Sequence, residues 1–195
     1  MSLTLLSPPG AEPVRLEMAK SWLRVSHSDD DALIMDAIIA AREHVEARTG
    51  LALMTQSWRE RLDDWPRDRL SASGLAVSLA KAPLQSVEVV RGRERDGSRS
   101  VWDSAEYRVE TGEPGRLVAI LPFCLPRPVV KAGGIEIEFT AGYGDTPDDV
   151  PAPLRAAILH LVAVRYGADR GEGGETPPTP EIVDRLLAPY IPVRL

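Results

Sequence analysis

The spacing of apolar residues changes twice along the 195-residue chain, and this change limits the fold more than any other feature. Within 33–45 and 154–162, apolar residues recur every three or four positions, as on one face of an α-helix. Between these stretches the apolar residues alternate or form short β-branched runs, which is the period of a strand. The chain is therefore predicted to contain helices, then a β-rich insert, then helices again.

This order predicts an α+β fold, in which N- and C-terminal helices form a bundle and an antiparallel β subdomain is inserted between them. Residues 1–54 and 145–195 are assigned to the helical domain with its C-terminal tail, and 55–144 to the β subdomain. Asp96-Gly97 is expected to form a hairpin turn. Strands are predicted at 57–62, 76–79, 86–91, 106–110, 116–121 and 135–140.

Turn and cap residues suggest where the helices begin and end. Residues 1–14 are proline-rich and expected to be extended, and a short amphipathic helix is expected at 15–24. Ser28 is the predicted N-cap of the long helix, with Asp31 three residues on, and Gly50 is expected to close it. After a Gly/Pro-rich linker at 169–178, Thr179 is the predicted N-cap of a short final helix.

Composition excludes some classes of protein. With 29 acidic and 23 basic residues, the formal net charge is −6, which disfavours a protein that grips DNA by neutralising phosphates but suits a wall that DNA slides past. The single cysteine, Cys124, allows neither an intramolecular disulfide nor a cysteine-based zinc site. No signal peptide or membrane span is recognisable, so a protein that stays in the cytoplasm and has no membrane partner is expected.

The residues most often used in catalysis form no recognisable catalytic pattern. His27, His44 and His160 are the only histidines, and no two have the i, i+4 spacing of a helical zinc site. Ordinary surface or half-buried histidines are the better interpretation. Ser71, Ser73 and Ser78 lie outside any nucleophile-elbow motif and are expected to serve turns.

The glycine-rich turns and the charged runs have structural explanations as well. Gly133-Gly134 precedes a strand and Gly142–Asp145 is followed by no lysine, so neither predicts a phosphate-binding loop. Asp29–Asp31 and Asp148-Asp149 are explained by helix capping rather than by a cation. The basic stretch 91–96 is expected to be a solvated hairpin tip, with an inter-subunit contact as the second interpretation. No catalytic residue, metal ligand or cofactor is predicted.

Several motifs, in order, resemble those of the head–tail connector (adaptor) proteins of long-tailed phages and of phage-derived gene transfer agents. The resemblance covers nearly the whole chain. The motifs are Ala-Lys-Ser-Trp-Leu-Arg-Val at 19–25, Asp-Asp-Ala-Leu-Ile at 30–34, Ala-Ala-Arg-Glu-His-Val-Glu at 40–46 closed by Thr49-Gly50, Leu53, Gln-Ser-Trp at 56–58, Asp-Trp-Pro at 64–66, Pro-Leu-Gln-Ser-Val at 83–87, Tyr107, Phe-Thr-Ala-Gly-Tyr-Gly at 139–144, Val150-Pro151, Leu-Arg-Ala-Ala-Ile-Leu at 154–159 and Leu-Leu-Ala-Pro-Tyr at 186–190.

The resemblance implies a structural subunit and no enzyme. It implies a ring of identical subunits, a dodecamer, docked beneath the portal protein in the neck of a virion or phage-like particle. The ring would extend the DNA channel, so double-stranded DNA would pass through it without specific binding. Its far side would meet stopper or tail-completion proteins.

The C-terminal segment is the candidate contact with the portal or a neighbouring subunit. It is apolar and lies beyond the linker, so we expect it to have little core of its own to bury against. The family typically has an arginine directly after the final Pro-Tyr, whereas here Ile191-Pro192-Val193 intervene before Arg194. The predicted contact residues are Ile182, Val183, Leu186, Leu187, Tyr190, Ile191, Val193, Arg194 and Leu195.

Two other functions remain open from the sequence. One is a small hydrolase or metal-dependent enzyme that uses His44 or His160 with the acidic clusters. The other is a cytoplasmic interaction module unrelated to phages.

Overall fold

The computed structural model describes residues 2–120, 125, 128–130, 132–169 and 179–191, and it divides into two compact units. The β unit comprises Met1–Pro8 and Thr55–Gly142, and the helical unit comprises Pro9–Met54 and Tyr143–Leu195. The predicted α+β class is confirmed. In the described part of the chain, none of the helices combines the length and apolar composition of a membrane span.

The helical unit is built around two long helices. These are α2 (Asp31–Thr49) and α3 (Ala152–Asp169), and the shorter α1 (Leu16–Leu23) and α4 (Glu181–Leu187) pack beside them. The periodic residues of α2 and α3 are buried, each contributing on the order of 2 kcal/mol. The fully buried members are Ile34, Ile38, Val45, Leu154, Ile158 and Val162.

The helix ends differ in part from the prediction. Gly50 closes α2 with a positive φ of 76° and donates its N–H to the Glu46 carbonyl, as expected. Ser28 is not the N-cap; Asp30 occupies that position without a side-chain cap bond. Its carboxylate instead accepts a 2.6 Å hydrogen bond from the Tyr166 hydroxyl, so the acidic run ties α2 to α3.

The predicted cap of the final helix is also one residue early. Pro180 rather than Thr179 is the N-cap, with extended backbone at ψ 139°, and the helix begins at Glu181. Because the proline ring fixes φ but allows either ψ, Pro180 can stand just before the first turn as readily as within it.

A buried ion cluster holds the segment before α1 against α2. The Arg42 guanidinium donates to Glu12 at 2.8 Å and to Glu46 at 3.0 Å, and Arg42 and Glu46 are both buried. Glu46 also accepts the backbone N–H of Leu53 at 2.9 Å. Every charge in this cluster therefore has a partner, which is the condition under which buried charges are tolerated.

The β unit contains two antiparallel sheets. The larger has the strand order β1-β2-β8-β4-β5 and the smaller has the order β3-β7-β6. The strands are β1 (Ser2–Ser7), β2 (Gln56–Leu62), β3 (Ala76–Ser78), β4 (Leu84–Arg93), β5 (Arg99–Val101), β6 (Tyr107–Glu110), β7 (Arg116–Ala119) and β8 (Ile135–Ala141). The hairpin expected at Asp96-Gly97 connects β4 and β5, with Gly97 at φ 87°.

The N-terminal residues lie in a different unit from the one the sequence indicated. Residues 1–54 were all assigned to the helices, but Ser2–Ser7 forms β1 and pairs antiparallel with β2, Leu3 opposite Glu60. All six residues of β1 are exposed, so the strand has no buried face. Without such a face a strand leaves no alternating apolar pattern in the sequence.

The central strand β8 has two distinct faces. Ile135, Ile137 and Phe139 are fully buried on one face. Glu136 and Glu138 lie on the other, which the alternation predicted to be wet. Glu136 is instead buried, with only 5% of its side chain exposed, because arginine side chains from neighbouring strands cover it.

Removing the arginine of the buried cluster should destabilise the helical unit. In Arg42→Ala the carboxylates of Glu12 and Glu46 stay in place without their counterion, which should cost about 3 kcal/mol. Urea unfolding followed by far-ultraviolet circular dichroism measures this cost. Arg48→Ala on the same helix is the control, because its pair with Asp184 is half exposed and should contribute under about 1 kcal/mol. Equal costs for the two variants would contradict the prediction.

Candidate assembly surfaces

The C-terminal helix is held on the helical unit by two side chains. Val183 and Leu187 are fully buried where α4 packs on α3. The expectation that this segment has little core to bury against is therefore wrong for these two residues. Their i, i+4 spacing places them on one face of α4, and this amphipathic spacing could have indicated it.

The remaining predicted contact residues divide by exposure. Ile182 is 42% exposed and points away from the buried face of α4, while Leu186, Tyr190 and Ile191 are half-buried. Val193, Arg194 and Leu195 lie outside the described residues. Among the predicted contact residues in the described part of the chain, Ile182 and its half-buried neighbours form the apolar surface that is accessible to a partner.

A second exposed apolar surface lies on α1. Met18 and Trp22 are one helical turn apart, and Trp22 is 48% exposed. The Trp22 ring contacts the His160 ring edge-to-face, with centroids 5.3 Å apart. Half-exposed tryptophans are common anchors at protein interfaces. This pair was not predicted, although the i, i+4 spacing of two large apolar residues on α1 is a readable signal.

The third surface is the outer face of the larger sheet, here called the arginine face. It presents arginines from three strands around two glutamates of β8. Its members are Arg59, Arg61, Arg91, Arg93, Arg99, Glu136 and Glu138.

Glu136 is the centre of the arginine face. Arg61 donates to one of its carboxylate oxygens at 2.8 Å. Arg91 and Arg99 donate to the other oxygen, at 3.1 and 2.7 Å. Burial by itself raises the pKa of Glu136, but the hydrogen bond from Arg61 and the charge of Arg99 outweigh it, so the pKa lies below its ordinary value.

Glu138 is bound in the same way one row along the sheet. Arg59 donates to it at 2.7 Å and the Arg91 guanidinium lies 2.9 Å away. These two hydrogen bonds lower the pKa of Glu138. Both carboxylates are thereby held ionised, and the face carries more positive than negative charge.

The arginine face also contains a cavity of about 220 Å³. Its charged lining is Arg61, Arg91, Arg93, Arg99 and Glu136, and glycines of the β4–β5 hairpin and of 133–134 form the remaining wall. The basic stretch 91–96 was expected to be a hairpin tip, but Arg91 and Arg93 lie in β4 and only 94–98 form the turn. Their i, i+2 spacing on a strand is the signal that could have placed them on one face.

The groups considered for catalysis serve structural contacts in the described residues. Asp31 pairs with Lys20, and Asp149 accepts hydrogen bonds from Thr146. Ser71 and Ser73 hydrogen-bond to each other. No group of three or more histidine, cysteine or acidic side chains lies close enough to hold a metal ion within the part of the chain that the structure describes.

The histidines are separated as well as few. His27 lies 3.8 Å from Asp30, and His160 packs on Trp22. His44 is half-buried on α2, and its Nε2 has no hydrogen-bond partner among the described residues. Cys124 lies outside those residues.

Comparison with known proteins supports the resemblance found in the motifs. The sequence model of the phage gp6-like head–tail connector proteins matches residues 13–82. Residues 13–82 are thus similar to that family, which confirms the resemblance inferred from the motifs. The expectation of a structural protein and not an enzyme is confirmed as well, because the matching family consists of structural head–tail connectors. None of the curated protein sequences matches this chain.

Solved structures extend the likeness to the whole chain. A chain in the neck of an empty GTA particle, computed with C6 symmetry, is 24% identical with a TM-score of 0.79. A chain in the virion of a native gene transfer agent particle is 25% identical with a TM-score of 0.79. A third, from the neck of a native GTA particle computed with C12 symmetry, is 23% identical with a TM-score of 0.71. Each alignment covers 100% of this chain and 97% of the other chain.

The arginine face should make the β unit resistant to acid. Because Glu136 and Glu138 have folded-state pKa values below the ordinary 4.5, their contribution to stability is complete above about pH 4.5. It is lost as the pH falls through the lower, folded-state values. Arg91→Ala removes a partner of both carboxylates, so the pH midpoint of acid unfolding should rise.

Tryptophan fluorescence recorded between pH 7 and pH 2 measures that midpoint. Arg95→Ala is the matched control, since Arg95 lies at the exposed tip of the same hairpin and pairs with neither glutamate. An unchanged midpoint in Arg91→Ala would show that the ion pairs do not set the acid stability.

Proposed function

We propose that the chain is a head–tail connector. It forms a ring of twelve identical subunits in the neck of a phage or phage-like particle, beneath the portal protein, and there extends the DNA channel. The observation that carries the proposal is the full-length likeness to neck chains of a gene transfer agent, 100% of the connector against 97% of the other chain at a TM-score of 0.79. The structural likeness covers both units, so this chain and the neck chain share an architecture that extends beyond residues 13–82, the region of the family match.

The symmetry of those neck structures supports the ring. They were computed with C6 and with C12 symmetry, and a twelve-membered ring contains a sixfold axis and so satisfies both. Subunits in a ring meet head to tail, so one chain must present two different surfaces that fit each other.

The distribution of charge supports a passage for DNA rather than a clamp. The helical unit carries 16 acidic and 10 basic residues, whereas the β unit carries 13 of each. The whole net charge of −6 thus belongs to the helical unit. Because an acidic wall repels phosphate, we infer that double-stranded DNA passes without specific binding.

The portal contact is assigned to the exposed side of the C-terminal segment. Val183 and Leu187 anchor α4 on its own subunit, which leaves Ile182 as the exposed apolar side chain of this helix. An apolar side chain fixed on a rigid helix is a suitable anchor for a groove in a partner. The opposite side of the ring is assigned to stopper or tail-completion proteins.

Two adjacent substitutions separate folding from assembly. Ile182→Asp should leave the urea-unfolding midpoint nearly unchanged but weaken binding to the portal about tenfold or more, because it adds a charge to an apolar contact. Val183→Asp should lower stability by about 3 kcal/mol or more, because it places an unpaired carboxylate in the core. Co-sedimentation with purified portal measures binding. Wild-type portal binding by Ile182→Asp would remove the C-terminal segment from the portal contact.

Electron microscopy of purified particles tests the ring. Reconstruction of the neck without imposed symmetry should show twelve copies of the connector below the portal. A different copy number would contradict the dodecamer, and necks without the protein would contradict the proposed function itself.

A further inference from the structure

The arginine face lacks part of its counter-charge. It brings together five arginines and two glutamates, and the cavity between them is lined by four guanidinium groups and a single carboxylate. Arg93 makes no ion pair with any described residue and is exposed. Guanidinium groups that line one cavity repel one another, so the face is complementary to a further anion.

A matching anionic surface lies on the helical unit of the same chain. Asp36 and Glu43 on α2 are exposed and seven residues apart, which places them on one side of the helix, and Asp29 is exposed in the turn just before α2. We name these three residues the acidic stripe. Asp29 and Asp36 make no ion pair with a described residue, and Glu43 lies 3.8 Å from Arg42.

The side chains between the acids allow close approach. Ala32 and Ala40 lie between the acidic positions and Ala47 follows Glu43 on the same side of α2, so the helix backbone can come near a flat partner. Asp36 and Glu43 are about 10 Å apart along the helix, a distance comparable with the width of two or three neighbouring strands. A sheet carrying arginines on adjacent strands matches both the charge and the spacing of the stripe.

We propose that the arginine face of one connector docks on the acidic stripe of a second copy of the chain. The inference deepens the proposed ring and rests on it, because a ring requires two different, mutually complementary surfaces on each subunit. Carboxylates of the stripe complete the counter-charge around Arg93 and Arg99, and bidentate arginine–carboxylate pairs fix the register of the contact.

The phosphates of DNA are the competing anion, and the charge distribution argues against them. All of the net negative charge lies in the helical unit, and in a ring many copies of that unit would surround the duplex. Their combined field repels phosphate from the assembled ring, while it draws the arginine face of one copy to the stripe of the next.

Cross-linking with Arg93→Lys tests the contact directly. This change keeps the charge and adds an amine, and the chain otherwise contains only Lys20, Lys81 and Lys131. A zero-length carbodiimide reagent joins an amine to a carboxylate only when the two are in contact. Concentrated protein and purified particles that carry the variant should both yield a cross-linked dimer whose peptides join the introduced amine at position 93 to the acidic stripe.

Charge reversal provides a second readout. Arg93→Glu/Arg99→Glu should weaken self-association, measured by sedimentation, about tenfold or more. Adding Asp36→Lys/Glu43→Lys in the same chain should restore it, since every interface then carries the reversed pair. Arg95→Glu/Arg108→Glu is the matched control, with the same change in net charge at exposed sites outside the cavity. Thermal unfolding verifies that each variant is folded.

The outcomes distinguish this inference from the ring itself. Rings in particle necks with the introduced amine joined only to other carboxylates, or reversal variants that associate like the control, would overturn the inference and leave the ring in place. A short DNA duplex could also bind the unmodified chain through Arg93 and abolish the cross-links from position 93. That result would identify phosphate as the occupant and would overturn the inference as well. A chain that is monomeric in solution and absent from necks would overturn both.

Discussion

A carboxylate buried in the middle of a sheet needs positively charged partners. The ion pairs of Glu136 therefore determine how the strands of the larger sheet are linked. Three strands each contribute an arginine that reaches it, so the ion pairs link β2, β4 and β5 to the central strand β8. Because each carboxylate oxygen is already bound, the arginines are fixed in place. The excess of arginine over glutamate then leaves a rigid basic face on an acidic protein.

The helical unit also surrounds a buried charge with side chains of opposite charge, but there no surplus of positive charge remains. Its buried cation, Arg42, is surrounded by two glutamates, so it fixes a chain segment without leaving a surplus of positive charge. The other acids in the middle of α2, Asp36 and Glu43, stay at the surface. One unit thus offers cations and the other anions, an arrangement that favours contact between unlike units of neighbouring subunits over contact between like ones.

The spacing of apolar residues predicted the helices and strands that bury a continuous apolar face. It failed where the buried residues are polar and where a strand has no buried face. The spacing over Ile34–Val45 predicted α2, and the alternation at Ile135–Phe139 predicted β8, because a buried face must repeat with its backbone. The strand β1 has no buried face and so left no pattern. Glu136 was expected to be solvent-exposed because alternation records only which side a residue is on, and the arginines that cover it lie about 40 to 75 residues away.

The division of each unit into separate chain segments affects how the protein is made. The helix α2 emerges from the ribosome about 100 residues before its partner α3, and β1 emerges about 50 residues before β2. The helix α2 must therefore wait with its apolar side chains unburied until α3 arrives, which slows folding and exposes α2 to aggregation. The helical core can close only after α3 has been translated, so chains released before that point cannot complete the bundle.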